Sequence, residues 1–418
     1  MSGRNGGEFD VVVVGAGVGG AAFALALAHE FPLRVLLIER HSGPGKINRG
    51  DSLLPAITAV LERWQALDRC RAAGARELPK MQVFHHRAGL LMETPLDSLG
   101  LRHPYLVLPH PEIERALTES GVATGRVEVR YRCQVARLLE EADRVSGVVL
   151  KGLDGEDETI RARLVVGADG ATSTVRAALG VRLPRRPYDH SYFGVEVERP
   201  ADYEDAMRVD LHPAGGVLIV PHPGGKSVGL GVLVRQREEE LFRCGSLEQK
   251  MDAIRRRSPL FADCRPFPHG SNLYKLARAH APRYCERGVA LLGDAVHITN
   301  PTAGQGMTMA VEDAAALARH VGPALSAGAR GVALERPLRA YERERRPLNA
   351  MLIRWSHVMA CFYAMDGGIC DWLRRRFFAL GGTSFGQMAQ RQIWSRVASR
   401  DSGPRTNRIT TAVISRGL

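Results

Sequence analysis

Short, fully apolar runs that end in glycine-rich turns recur along the chain, and they predict buried parallel strands. Residues 10–14 read Asp-Val-Val-Val-Val, and residues 34–38 read Arg-Val-Leu-Leu-Ile. Runs of this length that are apolar and β-branched are typical of strands covered on both faces. Two later runs, Leu164–Val166 and Val289–Leu292, have the same character. We therefore expect four strands, far apart in sequence, to return to one sheet.

The middle of the chain has a different pattern, in which short strands are separated by Pro/Gly turns. Between about residues 185 and 280, turns such as His-Pro-Gly-Gly punctuate the apolar runs, as is typical of an antiparallel sheet. The expected strands are Tyr192–Val197, Met207–Leu211, Gly216–Val220 and Ser227–Val234. From Gln305 onward the pattern is mainly helical. The sequence thus predicts an inserted β-rich domain followed by a helical region.

The first apolar run is followed by Gly-x-Gly-x-x-Gly at Gly15, Gly17 and Gly20, and then by the alanine-rich stretch 21–28, which favours a helix. In this motif the first glycine allows the turn, the second lets the backbone approach a pyrophosphate, and the third lets helix and strand pack closely. The helix start offers free N–H groups to the phosphates. Glu39, 19 residues after Gly20, can accept hydrogen bonds from ribose hydroxyls. These features predict a dinucleotide site.

A second glycine-rich segment, Gly167-Ala168-Asp169-Gly170, ends the strand at 164–166. The Asp169 carboxylate can bind backbone amides there and hold a loop against a cofactor. Ser173 or Thr174 can cap the helix that follows. This segment by itself is also compatible with a simple Asp-Gly turn.

A third segment begins with Gly293-Asp294 at the end of the strand 289–292, where ligands bind in open α/β sheets. Asp294 can accept a hydrogen bond from a sugar-alcohol chain. The loop Asn300–Gly306 then leads into a helix expected at Met307–His320. An amide-rich loop at a helix start suits the negative charge of a reduced flavin. The three segments together therefore indicate a flavin.

Composition excludes some other classes of protein. The 418 residues are too many for one simple core, and no run of 18 apolar residues predicts a membrane-spanning helix. The net charge of +12 comes from 51 Arg and only 6 Lys, but aromatic content is low and no nucleic-acid-binding module is visible, so we expect no nucleic-acid partner. The seven cysteines show no metal-binding spacing and suit reduced thiols. The N-terminus has no apolar signal region, so a cytoplasmic location is expected.

With these motifs the chain resembles the single-component (group A) FAD-dependent aromatic hydroxylases with a para-hydroxybenzoate hydroxylase-like fold, over roughly residues 9–350. It is similar to those of ubiquinone biosynthesis and of secondary metabolism. The motifs that carry the resemblance are Gly15–Gly20 with Glu39, Arg49-Gly50-Asp51, Gly167–Arg176, Gly293–Asp313 and Tyr341–Pro347.

The resemblance implies an FAD-binding site without a metal. Glu39 would bind the adenosine ribose, Arg49 the pyrophosphate side, and Val135 the adenine region through its backbone. Asp294 would bind the ribityl or pyrophosphate part. Asp169 would serve FAD and the reduced nicotinamide together, and His110 stands where many relatives have an arginine that reaches FAD. The cofactor-binding residues expected are Gly15, Gly17, Val18, Gly20, Glu39, Arg40, Arg49, His110, Val135, Asp169, Asp294, Pro301, Gly304, Gly306 and Met307, the last two through amides at the flavin ring.

The fold class implied is α/β, with a Rossmann-like FAD-binding domain, an inserted antiparallel β-sheet substrate domain and a helical C-terminal region. The domain boundaries expected are 1–80, 109–184 and 281–346 for FAD, 81–108 and 185–280 for substrate, and 347–418 for the helical region.

The activity implied is that of a monooxygenase. NADH or NADPH reduces FAD, dioxygen adds to the flavin, and the C4a-hydroperoxide hydroxylates or epoxidises an aromatic or quinone-like small molecule. Because the cofactor carries this chemistry, no catalytic acid or base is assigned, although several histidines are available to a phenolic substrate. These are His85, His86, His212, His222 and His297. The alternatives are a flavin-dependent reductase of a prenyl or lipid substrate and a non-catalytic flavin-binding partner protein.

The C-terminal region combines apolar residues at helical spacing with basic charge. Residues 371–408 carry eight Arg against two Asp, and Ile369, Trp372, Leu373 and Phe377 fall on one face of a predicted helix. A basic amphipathic helix can lie on an anionic membrane. The simpler interpretation is a helix that packs over the substrate domain or at a dimer interface. Both interpretations stay open, and with them a peripheral membrane location.

Overall fold

The computed structural model describes residues 5–45, 52–152, 157–267 and 271–398. The strands are β1 (Asn5–Val14), β2 (Val35–Ile38), β3 (Ser52–Leu53), β4 (Arg76–Glu77), β5 (Lys80–His85), β6 (Gly89–Pro95), β7 (Leu106–Val107), β8 (Val127–Arg130), β9 (Val135–Glu141), β10 (Arg144–Leu150), β11 (Glu158–Gly167), β12 (Arg185–Glu198), β13 (Met207–Leu211), β14 (Val217–Pro221), β15 (Ser227–Arg235), β16 (Asn272–His280), β17 (Cys285–Glu286), β18 (Val289–Leu291) and β19 (His297–Ile298). The helices are α1 (Val18–Glu30), α2 (Pro55–Arg63), α3 (Leu67–Ala72), α4 (His110–Ala123), α5 (Thr174–Ala178), α6 (Glu239–Cys244), α7 (Leu247–Arg257), α8 (Gln305–Ser326), α9 (Glu335–Ala364), α10 (Gly368–Gly381) and α11 (Ser384–Ala398).

The four predicted buried strands lie side by side in the first sheet, in the order β18-β11-β1-β2, and all four are parallel. β8 continues the sheet beyond β2, and β17 closes the opposite edge. β9 and β10 extend it as an antiparallel pair on β11. Every residue of β2 is buried, as expected of a strand covered on both faces.

Helices α1 and α8 pack together through small residues. In α1 every residue from Gly20 to Ala28 is buried, so this helix is covered all round rather than amphipathic. A Cβ on Gly19 would come within 2.8 Å of Leu292 Cδ1 and 3.4 Å of Ala310 Cβ, so glycine permits the close approach. α8 begins at Gln305, two residues earlier than predicted, and runs on to Ser326.

The second sheet has the strand order β19-β16-β12-β15-β14-β13-β5-β6. Its pairs are antiparallel except for β13 with β5. One face carries Phe193, Val195, Val217 and their neighbours, which pack in a buried cluster with residues of α6 and α7. The opposite face, which we call the inner face, carries Tyr192, Gly194 and Glu196 of β12 in alternation with that cluster. The α/β class with a β-rich sheet and a helical C-terminal region is confirmed, while the domain boundaries stay a prediction.

Three long helices end the described chain. α9 packs against α8, and α10 packs against β6 with Phe378 buried between them. Within the described ranges, no helix is both long enough and apolar enough to cross a bilayer.

Candidate active site

Three glycine-rich segments meet at one edge of the first sheet because the parallel strands that precede them end in register. Val14 pairs with both Gly167 and Ile38, and Gly167 pairs with Leu291. The chain therefore leaves four neighbouring strands at the same level. The carboxyl edge of a parallel sheet is where ligands bind in this class of fold.

The three glycines of the first segment serve different purposes. Gly15 has a φ of +102°, and a Cβ there would collide with the carbonyl of Ala168. A Cβ on Gly20 would collide with the carbonyl oxygen of Gly15, so Gly20 holds α1 against the turn. At Gly17 the one described atom within 4 Å of an added Cβ would be Glu114 Oε1, at 3.7 Å. Gly17 is thus the position whose missing side chain leaves space for a ligand.

The start of α1 has the features of an anion site. Gly17 is the residue before the helix, no side chain caps it, and the first turn, beginning at Val18, contains no acidic residue. The first N–H groups of a helix have no partner within the helix, and the helix dipole adds positive potential. Together with the space at Gly17, this arrangement suits a pyrophosphate.

Glu39 lies across the first segment at the end of β2. Its Oε2 accepts a hydrogen bond from the N–H of Ala16 at 3.0 Å, and its Oε1 accepts one from the N–H of His41 at 2.9 Å. The N–H of Cys133 bonds to the carbonyl of Glu39 at 2.9 Å, which brings Val135 at the start of β9 near the same end of the site. Arg40 is exposed beside Glu39. Arg49 lies outside the described residues.

Asp169 organises its own loop. Its carboxylate accepts hydrogen bonds from the backbone N–H groups of Thr174 at 2.6 Å and Val175 at 3.2 Å, and from the hydroxyl of Ser173. Ser173 is the residue that caps α5, as its hydroxyl accepts from the N–H of Arg176. Arg176 in turn donates to the carbonyl of Ala295 at 2.9 Å. This arginine therefore ties the second segment to the third.

Gly293 and Asp294 form a 3₁₀ turn directly after β18, and Asp294 is exposed at the sheet edge. Asp313 of α8 holds this turn in place. Its Oδ2 accepts a hydrogen bond from the N–H of Gly293 at 3.3 Å and lies 2.7 Å from His297 Nε2. Asp313 Oδ1 accepts from Arg345 Nε at 2.8 Å and from Asn349 Nδ2 at 2.9 Å.

The Asp313 carboxylate is fully buried and stays charged. Burial by itself raises the pKa of this carboxyl, but the charges of His297 and Arg345 and their hydrogen bonds outweigh it and lower the pKa to about 2. Burial lowers the pKa of Arg345, but its carboxylate neighbours raise it to a larger extent. The sequence analysis named His297 among the histidines available to a phenolic substrate, and in the structure it hydrogen-bonds to Asp313 in this anchor.

The loop before α8 is a 3₁₀ turn from Pro301 to Ala303 that ends at Gly304, which has a φ of +62°. Asn300 opens the turn, and its Oδ1 accepts from the N–H of Thr302 at 3.0 Å. α8 then begins with Gln305, Gly306 and Met307, without an acidic residue in its first turn. Among the described residues, a Cβ on Gly304 would meet only Leu54 Cδ1, at 4.0 Å. No acidic side chain of the first turn of α8 itself opposes an anion at these amides.

His110 and Glu114 lie on the first turns of α4 and face the first segment. His110 Nε2 is 3.3 Å from Glu114 Oε1, and Glu114 Oε2 accepts from the N–H of Gly45 at 3.0 Å. Glu114 is 9% exposed and stands beside the space at Gly17. The sequence analysis missed Glu114, because an acid on a helix face gives no signal until the fold brings it to the glycine loop.

Three of the other histidines named from the sequence occupy hydrogen-bonded positions on the second sheet. His85 Nε2 is 3.0 Å from Asp371 Oδ2, and His222 Nδ1 is 3.3 Å from both Glu196 Oε1 and the hydroxyl of Ser227. Burial lowers the pKa of His212 to about 4.

The side chains of His85, His86 and Asp371 come within 4.8 Å of one another, close enough to hold a metal ion. However, both ring nitrogens of His85 already have partners, since Nδ1 also accepts from the N–H of Arg87 at 3.2 Å. Arg374 lies 3.5 Å from the second Asp371 oxygen. The positive charge of this arginine opposes a cation, and the hydrogen bonds account for the cluster.

FAD fits the residues at the sheet edge. Buried polar atoms that have no hydrogen-bond partner among the described residues collect there, including Thr299 Oγ1, Asn300 Nδ2, Thr308 Oγ1 and His110 Nδ1. Buried polar atoms are normally paired, so these require a ligand or water. The space at Gly17 and the two uncapped helix starts complete an elongated site that has phosphate-binding groups at one end and an amide-rich loop at the other.

Comparison with known proteins agrees with this geometry. Residues 8–356 match the family model described as FAD binding domain, and the chain belongs to this family. It is 28% identical over 358 residues to 3-hydroxybenzoate 6-hydroxylase of Klebsiella oxytoca, covering 82% of this chain and 86% of that protein. It is 27% identical over 381 residues to ubiquinone hydroxylase UbiL of Rhodospirillum rubrum, covering 85% and 82%.

Among solved structures, the chain is similar to PqsL, described as a probable FAD-dependent monooxygenase from Pseudomonas aeruginosa. The TM-score is 0.75 at 26% identity, covering 89% of this chain and 99% of PqsL. These likenesses confirm the family, the FAD cofactor and the enzyme class of flavin monooxygenase that the sequence predicted. The roles of individual residues stay predictions.

Proposed function

We propose that this chain uses NADH or NADPH and dioxygen to hydroxylate an aromatic or quinone-like small molecule. The observation that carries the proposal is the meeting of two uncapped helix starts and Glu39 at one sheet edge. The names of the relatives, a hydroxybenzoate hydroxylase and a ubiquinone hydroxylase, support the substrate class.

In this proposal FAD lies along the carboxyl edge of the first sheet. Gly15, Gly17, Val18 and Gly20 hold the pyrophosphate at the start of α1, and Arg49 serves the pyrophosphate side. Glu39 binds the adenosine ribose with Arg40 beside it, and Val135 contacts the adenine region through its backbone. His110 and Asp169 support the loop around the middle of the cofactor, and Asp294 binds the ribityl part. Pro301, Gly304, Gly306 and Met307 hold the flavin ring.

Bound FAD would accept a hydride from reduced nicotinamide and activate dioxygen. The protein supplies the electrostatic and steric conditions. The N–H groups and dipole of α8 would stabilise negative charge on the ring, because no acidic side chain in that first turn opposes them. Leu54, Tyr105, Val107 and Val220 form a buried apolar cluster beside Gly304 that would keep water from the ring.

The inner face of the second sheet can receive a flat substrate. Gly194 of β12 lies directly opposite Gly231 of β15. Gly229, two residues earlier in β15, is on the same face as Gly231. The phenol of Tyr192 lies over Gly231, where any Cβ would collide with it. Glycines in the middle of a strand typically mark close approach of another group. Here the close group over Gly231 is the Tyr192 phenol, which lines the inner face where we place the planar substrate.

The test is the visible spectrum of the purified protein, followed by NADH and NADPH oxidation in air with phenols, quinolones and quinones. The proposal expects an oxidised-flavin spectrum, oxidation accelerated by one compound class, and a product heavier by one oxygen atom. Bound flavin without accelerated oxidation would instead favour the reductase or the non-catalytic partner. Reduction of a prenyl double bond in the absence of dioxygen would identify the reductase.

A second proposal concerns peripheral membrane contact. Among the described residues, ten of the fifteen large hydrophobic side chains that are exposed lie between residues 355 and 388. Ile369, Leu373, Phe377 and Leu380 form an apolar stripe along α10, with exposures between 46% and 77%. Arg376, on the same helix, is also exposed. We propose that this stripe lies on an anionic lipid surface, since a patch of this size on a basic protein suits such a partner.

The packing interpretation of α10 accounts for its other face. Phe378 and Arg374 are buried, and Arg374 donates to the carbonyl of Met365 at 2.6 Å.

Flotation with vesicles that contain phosphatidylglycerol tests the exposed face. The variant Leu373→Ser/Leu380→Ser should lose binding, whereas Val332→Ser, which is 68% exposed outside the stripe, should retain it. Absence of binding at low salt, or a dimer that the double variant dissociates, would refute the membrane assignment.

A further inference from the structure

An open cavity lies at the opposite end of α1 from the flavin site. Its volume is about 370 Å³, at the lower end of the range for small-molecule sites, and its lining is mostly polar. It is bounded by His29 in the last turn of α1, by Trp64 and Gln65 after α2, and by the end of α4. The 13 residues of α1, at about 1.5 Å each, place the cavity about 20 Å from the pyrophosphate end of that helix. It is therefore separate from the FAD site.

One buried hydroxyl in this cavity is unpaired. Ser120, near the end of α4, lines the cavity and is 7% exposed. Its Oγ has no hydrogen-bond partner among the described residues. A serine within a helix can donate to the carbonyl four residues earlier, and Ser120 does not. Because buried polar atoms are normally paired, this hydroxyl requires a ligand or water in the cavity.

Basic side chains surround the same space. Arg69 of α3 and Arg126 before β8 line the cavity together with His29. Arg126 Nη1 donates to the carbonyl of Ala28 at 3.3 Å, and this is its one side-chain hydrogen bond within the described residues. Arg69 lies 3.7 Å from the exposed carboxylate of Glu119, which is too far for a hydrogen bond. Both guanidinium groups therefore keep donors that a ligand can use.

Other negative groups near the cavity are already engaged. Glu30 lies 2.6 Å from Arg63, and its Oε1 also accepts from Trp64 Nε1 at 3.1 Å. The helices α1, α2 and α4 end beside the cavity, and the last carbonyls of a helix carry partial negative charge. One of these, the carbonyl of Ala28, accepts from Arg126. The two lining guanidinium groups carry whole charges, so they keep the cavity positive.

Gln65 adds an amide donor in an unusual backbone conformation. Its φ is +55°, in the left-handed region that residues other than glycine rarely adopt. Residues held in such conformations cluster at ligand sites. The side chain of Gln65 lines the cavity on the side of α2, whereas Ser120 lines it from α4. A ligand that accepts from guanidinium, amide and hydroxyl groups at once carries several oxygen acceptors and negative charge.

We propose that this cavity binds a small oxyanion, a phosphate or a carboxylate, between the guanidinium groups of Arg69 and Arg126. Ser120 donates its hydroxyl, and Gln65 its amide, to the same group. Guanidinium suits this partner because it offers parallel donors that match carboxylate and phosphate oxygens. The volume leaves room for the small organic molecule that carries the anion. The proposal does not depend on the hydroxylase function.

The test is isothermal titration calorimetry of the FAD-loaded protein with inorganic phosphate and with citrate, against chloride at matched ionic strength. Loaded protein is used because the start of α1 also suits phosphate, and FAD fills that place. Arg69→Gln/Arg126→Gln removes both charges and keeps polar side chains. Ser120→Ala removes only the buried hydroxyl. The matched control is Arg71→Gln, since Arg71 lies on the same helix as Arg69, is 51% exposed and is not part of the lining.

We expect wild type and Arg71→Gln to bind at least one of the two anions at a single site. The affinity should fall at least about 30-fold in the double arginine variant and about fivefold in Ser120→Ala. Preference for phosphate would assign the site to a phosphate ester, and preference for citrate would assign it to a carboxylate. Retained flavin absorption and an unchanged circular dichroism spectrum show that each variant is folded.

Three results would overturn the proposal. The first is the absence of phosphate and citrate binding by wild type, which would leave the cavity to water. The second is equal affinity in wild type and Arg69→Gln/Arg126→Gln, which would place the anion elsewhere. The third is an equal loss of affinity in Arg71→Gln, which would show that only the overall positive charge of the protein attracts the anion.

Discussion

Replacement of Asp313 by asparagine should lower the free energy of unfolding, because Asp313 holds the third glycine segment through four hydrogen bonds. Each carboxylate oxygen accepts two hydrogen bonds, from Arg345 and Asn349 at Oδ1 and from His297 and Gly293 at Oδ2. An asparagine side chain has one acceptor and one donor group. Whichever way the amide turns, its NH₂ faces two donors, and the buried Arg345 loses half of its counter-charge.

The magnitude follows from these contacts. Two buried donors left without an acceptor cost about 1–3 kcal/mol each. Breaking a buried ion pair by removing one partner typically costs about 3–5 kcal/mol. We therefore expect Asp313→Asn to lower the free energy of unfolding by about 4 kcal/mol at neutral pH. The matched control is Asp252→Asn. The Asp252 carboxylate is 54% exposed and pairs with Arg255 at 3.0 Å, so its loss should lower the free energy of unfolding by less than about 1 kcal/mol.

The effect should depend on pH in one direction. The folded-state pKa of Asp313, about 2, lies below the ordinary value of 3.8, so its contribution to stability is complete above the ordinary value. That contribution is lost as the pH falls toward the folded-state value, when wild type also becomes neutral at this position. The difference between wild type and Asp313→Asn should therefore be largest near neutral pH and shrink in acid.

The assay is urea unfolding of the FAD-loaded protein, followed by tryptophan emission and by flavin fluorescence, at neutral pH and at about pH 3. A loss below about 1 kcal/mol at neutral pH would refute the argument from donor counting. An equal loss at both pH values would show that the charge of Asp313 is not the cause.

Three further substitutions test the cofactor site. Gly17→Ala should fold normally, because its Cβ meets only Glu114 at 3.7 Å, but should bind FAD at least about tenfold more weakly in flavin titration; unchanged affinity would place the pyrophosphate elsewhere. Gly20→Ala should give little folded protein by circular dichroism, because its Cβ collides with the Gly15 carbonyl, and a normal melting temperature would contradict this. Glu39→Gln should weaken FAD binding by about 1 kcal/mol in the same titration, since a neutral amide accepts more weakly from ribose hydroxyls and from the N–H of Ala16; affinity equal to wild type would remove Glu39 from the ribose site.

The sequence predicted the strands and turns of the first sheet well, because their signals are local. A β-branched run bounded by glycine specifies a buried strand wherever it occurs, and Gly15 must be glycine because its φ is positive. Glycines at such positions mark the turn before any partner is known. The family resemblance then supplied the cofactor, and the comparisons confirmed it.

Other features required the folded chain. The order of residues along the chain does not distinguish among His85, His222 and His297, since the role of a histidine depends on the groups that pack against it. The structure pairs His85 with Asp371, His222 Nδ1 with Glu196 and His297 Nε2 with Asp313, while His297 Nδ1 stays buried without a partner among the described residues.

The sequence by itself therefore determined the local conformations and the order of segments that return to one sheet edge. The tertiary structure decided which polar groups meet across hundreds of residues, such as His85 with Asp371, and which buried atoms stay unpaired. The reason is physical. Backbone conformation depends mostly on a residue and its immediate neighbours, whereas desolvation and hydrogen bonding of a side chain depend on every element packed against it.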